Sequence, residues 1–102
     1  LKRETISKVE ILGNGELLLG LGSGGNSNYQ YVYREAAGVY WDEGKKGFKS
    51  TEPKGKAYDW WYQHIVSVVR DIDVDLVMGD RIEWINVSDQ VASGILEVSR
   101  NR

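Results

Sequence analysis

The chain has 102 residues, of which 41% are apolar and 27% charged, with a formal net charge of −2 and no cysteine. That describes one globular domain, which at this length buries roughly 60–65% of the surface its unfolded form exposes, and it excludes a disordered segment. The missing cysteines exclude disulfides, thiolate zinc sites and a cysteine nucleophile; the charge argues against a dedicated nucleic-acid binder; and no apolar run approaches the roughly 18 residues of a membrane span.

Taken in chain order, Ile6 to Leu12 reads as a strand, followed by Gly13-Asn14-Gly15, a strong hairpin signal between apolar runs, and a return strand from Glu16 to Leu21. Gly22 to Asn28 is a flexible polar loop. Tyr29 to Arg34 is expected to form a third strand with Tyr29, Tyr31 and Tyr33 on one face. Ala36-Ala37-Gly38 turns the chain into a fourth strand at Val39 to Asp42, Glu43 to Gly47 forms a tight turn, and Phe48 begins a short fifth strand. Pro53 and Gly55 break the pattern.

Tyr58 to Ile72 is the clearest element. At helical spacing Tyr58, Trp61, Ile65, Val68, Val69 and Ile72 fall on one arc, with Tyr62 and Val66 at its edge and Gln63, Ser67, Arg70 and Asp71 opposite. A strand over Val74–Met78 and another over Arg81–Val87 follow, and Ser88 then caps a short C-terminal helix marked by Val91, Ile95 and Val98, which Gly94 weakens by about 1 kcal/mol relative to Ala. Antiparallel strands followed by a helix define a single α+β domain over residues 1–102, its mainly antiparallel sheet of about five to seven short strands packed on one amphipathic helix.

Several patterns that carry chemistry elsewhere fail here. Gly20, Gly22, Gly24 and Gly25 run into a strand rather than the helix a dinucleotide loop needs. Asp71, Asp73 and Asp75 open like a calcium loop, but its sixth and twelfth positions are Leu76 and Ile82 where Gly and Glu are required. His64, Ser67 and Asp71 share a helix face, yet His64 and Asp71 stand about 10 Å apart along the axis, too far for a triad. Asn86-Val87-Ser88 matches a glycosylation acceptor by chance. Arg34, Glu35 and Asp42 read as a surface ion pair of the Arg with one of the acids. No catalytic residue, metal or cofactor is expected.

Two features remain. The chain carries four Trp and six Tyr against one Phe, and rings with a polar handle suit half-buried sites and interfaces. Charge is also divided: Glu43 to Lys56 holds five Lys and two Glu, whereas Arg70 to Glu83 holds two Arg and five acids, a pattern of solvated loops or of a self-complementary contact. Trp60 stands out most. It lies on the polar side of the main helix with His64, Ser67 and Asp71, so it either packs under the Lys-rich loop or belongs to a contact site.

The runs Y-Q-Y-V-Y-R-E-A-A-G-V-Y-W from Tyr29 to Trp41, G-F-K-S from Gly47 to Ser50, Y-D-W-W-Y-Q-H-I-V from Tyr58 to Val66 and E-W-I-N-V from Glu83 to Val87 resemble short uncharacterised bacterial proteins encoded by integron gene cassettes. The resemblance covers about 60 residues, from Tyr29 to Ser88. It implies a cytoplasmic bacterial α+β protein and supplies no catalytic residues. Ala57 stands where such sequences commonly place a capping Ser. The chain opens on Leu1 rather than Met, and no segment reads as a signal peptide.

These readings favour a non-enzymatic accessory protein that works through protein–protein contacts, as a homo-oligomer or in an immunity or antitoxin role. The alternative is a small-molecule binder with an aromatic pocket between sheet and helix. A small enzyme using Arg34, Glu35, Asp42 or His64 is less favoured, and nucleic-acid binding through Lys45, Lys46, Lys49, Lys54 and Lys56 less still. The expected ligand or interface residues are Trp60, His64, Tyr31, Arg34 and Trp41.

Overall fold

The computed structural model describes residues 1–31, 33–34, 37–51 and 55–101, with Tyr33 and Arg34 described by their backbone. The elements run β1 (Lys2–Ile11), β2 (Leu17–Leu21), a 3-10 helix (Ser27–Tyr31), β3 (Tyr33–Arg34), β4 (Val39–Asp42), β5 (Gly47–Ser50), α1 (Tyr58–Arg70), β6 (Val74–Ile85) and α2 (Asp89–Arg100). The strands form one six-stranded sheet in the order β3-β4-β5-β2-β1-β6. Every pairing is antiparallel except β1 with β6, which is parallel. A parallel pair needs a long crossover, and the chain from β2 through α1 supplies it.

Both helices pack on one face of the sheet. Leu17, Leu19, Val39 and Phe48 meet Tyr62, Ile65, Val69 and Ile95, all fully buried. Of the expected helical arc Trp61, Ile65, Val68 and Val69 are buried in α1, with Tyr62 and Val66 from its edge; Tyr58 is half-buried, and Ile72 lies in the turn past the helix end at Arg70. Ser88 caps α2 by accepting the Val91 N–H at 3.2 Å, whereas Ala57 gives α1 no side-chain cap. Gly94 lies within α2 and its missing side chain faces Asp59 of α1.

Two strand expectations are corrected. Residues 29–31 do not begin a strand. Asn26 caps the turn through its Oδ1, which accepts the Asn28 N–H at 2.8 Å, and its carbonyl accepts the Tyr29 N–H at 2.9 Å. The resulting 3-10 turn directs the Tyr29 ring inward, against Trp41 at 5.3 Å and Phe48 at 5.3 Å, and leaves Tyr31 78% exposed. Tyr29 and Tyr31 therefore share no face. The two strands expected over Val74–Met78 and Arg81–Val87 are one strand, β6. Its register against β1 jumps from Ile6↔Met78 to Lys8↔Glu83, so Gly79 to Ile82 bulge without ending the strand. A side chain at Gly79 would collide with the Ile6 carbonyl and with Thr5, and glycine permits that approach.

Among the described residues the opposite face of the sheet bears no helix. Strand pairing aligns Tyr40, Lys49, Leu18 and Glu10 in one row and Asp42, Gly47, Gly20 and Lys8 in the next. Leu18 is nevertheless fully buried. A side chain at Gly47 would strike the Leu19 carbonyl and Leu18, and one at Gly20 would press on the Lys8 stem at 3.0 Å. These two glycines let Leu18 and Lys8 lie flat, and long polar side chains close over them.

Candidate interaction surface

α1 presents its outer side as a ridge of exposed residues at steps of three or four: Lys56 just before the helix, then Trp60, Gln63, Ser67 and Arg70, with Asp71 just beyond. The ridge lies opposite the buried arc because the same 3.6-residue period sets both. Trp60 is 40% exposed. Its ring stacks on His64 at 4.8 Å and 16° and meets Trp61 edge-on at 5.1 Å, while the Lys56 ammonium lies 5.2 Å from its centroid. Trp61 is nine-tenths buried, so the exposed indole rests on a ring fixed in the core. His64 is held from the other side. Its Nε2–H donates to the Ala37 carbonyl at 2.7 Å, which assigns the proton to that nitrogen because a carbonyl only accepts. Trp60 is thus a braced ledge with Lys56, the last lysine of the Lys-rich segment, over it; residues 52–54 of that segment lie outside the described residues.

Beside the ridge is a shallow depression of about 330 Å³ lined by Gln63, Val66, Ser67 and Arg70. A second, of about 430 Å³, lies between the N-terminal turns of α1 and α2, lined by Tyr58, Asp59, Gln90 and Gly94 among others. The space between sheet and α1 is filled by fully buried Tyr62, Ile65, Val69, Leu19 and Phe48.

The expected site residues therefore separate. Trp60 and His64 stand together on the ridge. Trp41 lies in the core, 7% exposed, packed on Phe48 at 4.9 Å with its Nε1–H donating to Glu43 at 2.6 Å. Gly25 lies so close over its ring that an added Cβ would stand 2.4 Å from it. Tyr31 is exposed at the end of the 3-10 helix. Arg34 is placed by its backbone pairing with Val39. Of the ion pair expected there, Glu35 lies outside the described residues and Asp42 is held by Lys49 at 2.9 Å.

Two polar clusters escaped the sequence reading. On the open sheet face Lys49 lies 2.9 Å from Asp42 and 3.6 Å from Glu16, which also accepts the Tyr40 hydroxyl and the Asn14 amide N–H. Burial pushes the Asp42 carboxyl up, but the Lys49 ammonium and the Lys45 backbone N–H outweigh it and hold the group below its usual value. Burial, then the Glu16 carboxylate, raises the Tyr40 phenol. At the edge of the core, Glu4 is 3% exposed and accepts the Tyr29 hydroxyl at 2.7 Å and the Ser23 hydroxyl at 2.7 Å. Burial and this carboxylate raise the Tyr29 phenol. Both clusters tie loops to strands. The readable signal was an acid at an inward strand position, Glu4 two residues before Ile6.

The lysine-rich segment is engaged within the chain. Lys45 lies 4.0 Å from Glu10, Lys46 bonds Glu43, Lys49 bonds Asp42, and Lys56 covers Trp60; Lys54 lies outside the described residues. Among the described residues no three His, Asp or Glu side chains are grouped to hold a metal ion, and no helix is long and apolar enough to cross a membrane.

These features define an α+β domain, a mainly antiparallel sheet with two helices on one face. No protein-family model and no curated protein matches the chain. Among solved structures it is similar to an integron cassette protein from the mobile metagenome of the North West Arm sewage outfall, with 29% sequence identity over 98% of each chain and a TM-score of 0.44. That protein's description names no activity.

Proposed function

We propose that this chain is a non-enzymatic accessory protein that acts through protein–protein contact, with the outer ridge of α1 as its contact surface and Trp60 as the anchor. The carrying observation is that a 40%-exposed indole is stacked on His64 and braced edge-on by core Trp61. Exposing a tryptophan forfeits burial of a large apolar face, and fixing its rotamer in advance lowers the entropy lost on docking. Trp is also the residue type most enriched among interface hot spots. An immunity or antitoxin role is one form of this reading.

The test places a photo-reactive amino acid at position 63, next to the indole, and irradiates cells producing the protein. A discrete protein adduct is expected, and Trp60→Ala in the same chain removes it. Absence of any adduct overturns the reading.

A further inference from the structure

We infer that the occupant of the α1 ridge is a second copy of this chain, with the two α1 helices packed antiparallel about a twofold axis passing between Gln63 and His64. This rests on the reading of the ridge as a contact surface and names its partner.

The inference comes from the order of residues along the ridge. A twofold contact must be self-complementary, each residue meeting the one equally far on the other side of the axis. Read up one ridge and down its copy, Lys56 meets Asp71, Trp60 meets Ser67, and Gln63 meets His64. Each of the first two pairings is complementary and occurs twice.

Trp60 is the ridge's only large apolar side chain and Ser67 its smallest side chain. Ser67 lies in the depression of about 330 Å³ that Gln63, Val66 and Arg70 complete. Knob and hole are two helical turns apart, about 10.5 Å along the axis. Antiparallel helices in contact therefore bring both indoles over both holes at once.

The charges agree. Among the described residues neither Lys56 nor Asp71 forms an ion pair within the chain, and both are exposed. Arg70 is drawn aside to Asp75 at 2.9 Å, which leaves Asp71 as the charge at the end of the ridge. A parallel arrangement would set Lys56 against Lys56 and indole against indole. A purely acidic partner would satisfy Lys56 and repel Asp71. The antiparallel copy satisfies both.

Sedimentation equilibrium of the purified chain tests this. A reversible dimer is expected at about 100 µM, as suits a contact one helix wide. Trp60→Ala and Lys56→Asp should each raise the dissociation constant about tenfold or more. Lys56→Asp combined with Asp71→Lys restores the complementary pair and should recover most of the lost affinity, which a general folding defect would not allow. In this cysteine-free chain, Gln63→Cys should oxidise to a covalent dimer, whereas Ser93→Cys on α2 should form no covalent dimer. A wild-type chain monomeric to about 1 mM, or a dimer indifferent to Trp60 and to the charge exchange, overturns the inference. An adduct to a foreign protein at position 63 with a monomeric purified chain overturns self-pairing alone, whereas no adduct and no dimer overturns the contact surface as well.

Discussion

At the scale of single residues, neighbouring tryptophans carry opposite duties. Trp61 is buried in the core and Trp60 rests on it from outside. Trp61→Ala should destabilise the fold by about 3–5 kcal/mol through the cavity it leaves. Trp60→Ala loses ring contacts to His64 and Trp61 and should cost about 1 kcal/mol in the monomer; thermal unfolding of the two variants checks the contrast. Lys49 gives a second residue-level expectation. It is the cation shared by Asp42 and by Glu16, which is 7% exposed. Lys49→Met strands a buried carboxylate and should cost about 1–3 kcal/mol at neutral pH. The Asp42 carboxyl is held below its unfolded value, so its stabilisation is present above about pH 4 and is lost as the pH falls through the lowered folded value. Wild type and Lys49→Met should therefore converge in stability in acid, and denaturant titrations at pH 7 and pH 3 measure whether they do.

At the scale of elements, the two helices start differently. Ser88 supplies a hydroxyl to the Val91 N–H and Ala57 supplies nothing, although both residues have extended backbone at the cap position. Ser88→Ala should cost about 1 kcal/mol, and Ala57→Ser should add about 0.5–1 kcal/mol, both read as shifts of the urea midpoint at unchanged slope. Apolar periodicity made α1 and α2 legible in advance, and Gly13-Asn14-Gly15 made the first hairpin legible. The alternating tyrosines misled because alternation registers only strand geometry. It does not register a local Asn26 turn or the long-range reward of burying Tyr29 against Trp41, Phe48 and Glu4. The bulge at Gly79 was equally hidden, since it depends on which strand lies alongside.

At the scale of the whole molecule, one sheet face is sealed by helices and the other by paired charges. The lysine-rich segment that looked like a cationic patch is largely neutralised at home, by Glu10, Asp42, Glu43 and Glu16. The α1 ridge, by contrast, stays exposed from Lys56 to Asp71. A dimer of the kind inferred couples folding to association, so the thermal midpoint of the wild type should rise with protein concentration more steeply than that of Trp60→Ala. Scanning calorimetry over a hundredfold concentration range measures this.

The sequence alone determined the α+β class, the core arc of α1, the cap of α2 and the anomaly of Trp60, because each rests on local period or on the chemistry of adjacent residues. Tertiary structure decided the strand order, the parallel β1–β6 pair, the inward turn of Tyr29, the core position of Trp41 and the cross-strand network around Lys49, because each depends on residues far apart in the chain meeting in space. Trp60 belongs to both. Periodicity placed it on the polar side of the helix, but only the packing of Trp61, His64 and Ala37 made it a braced ledge beside the depression at Ser67.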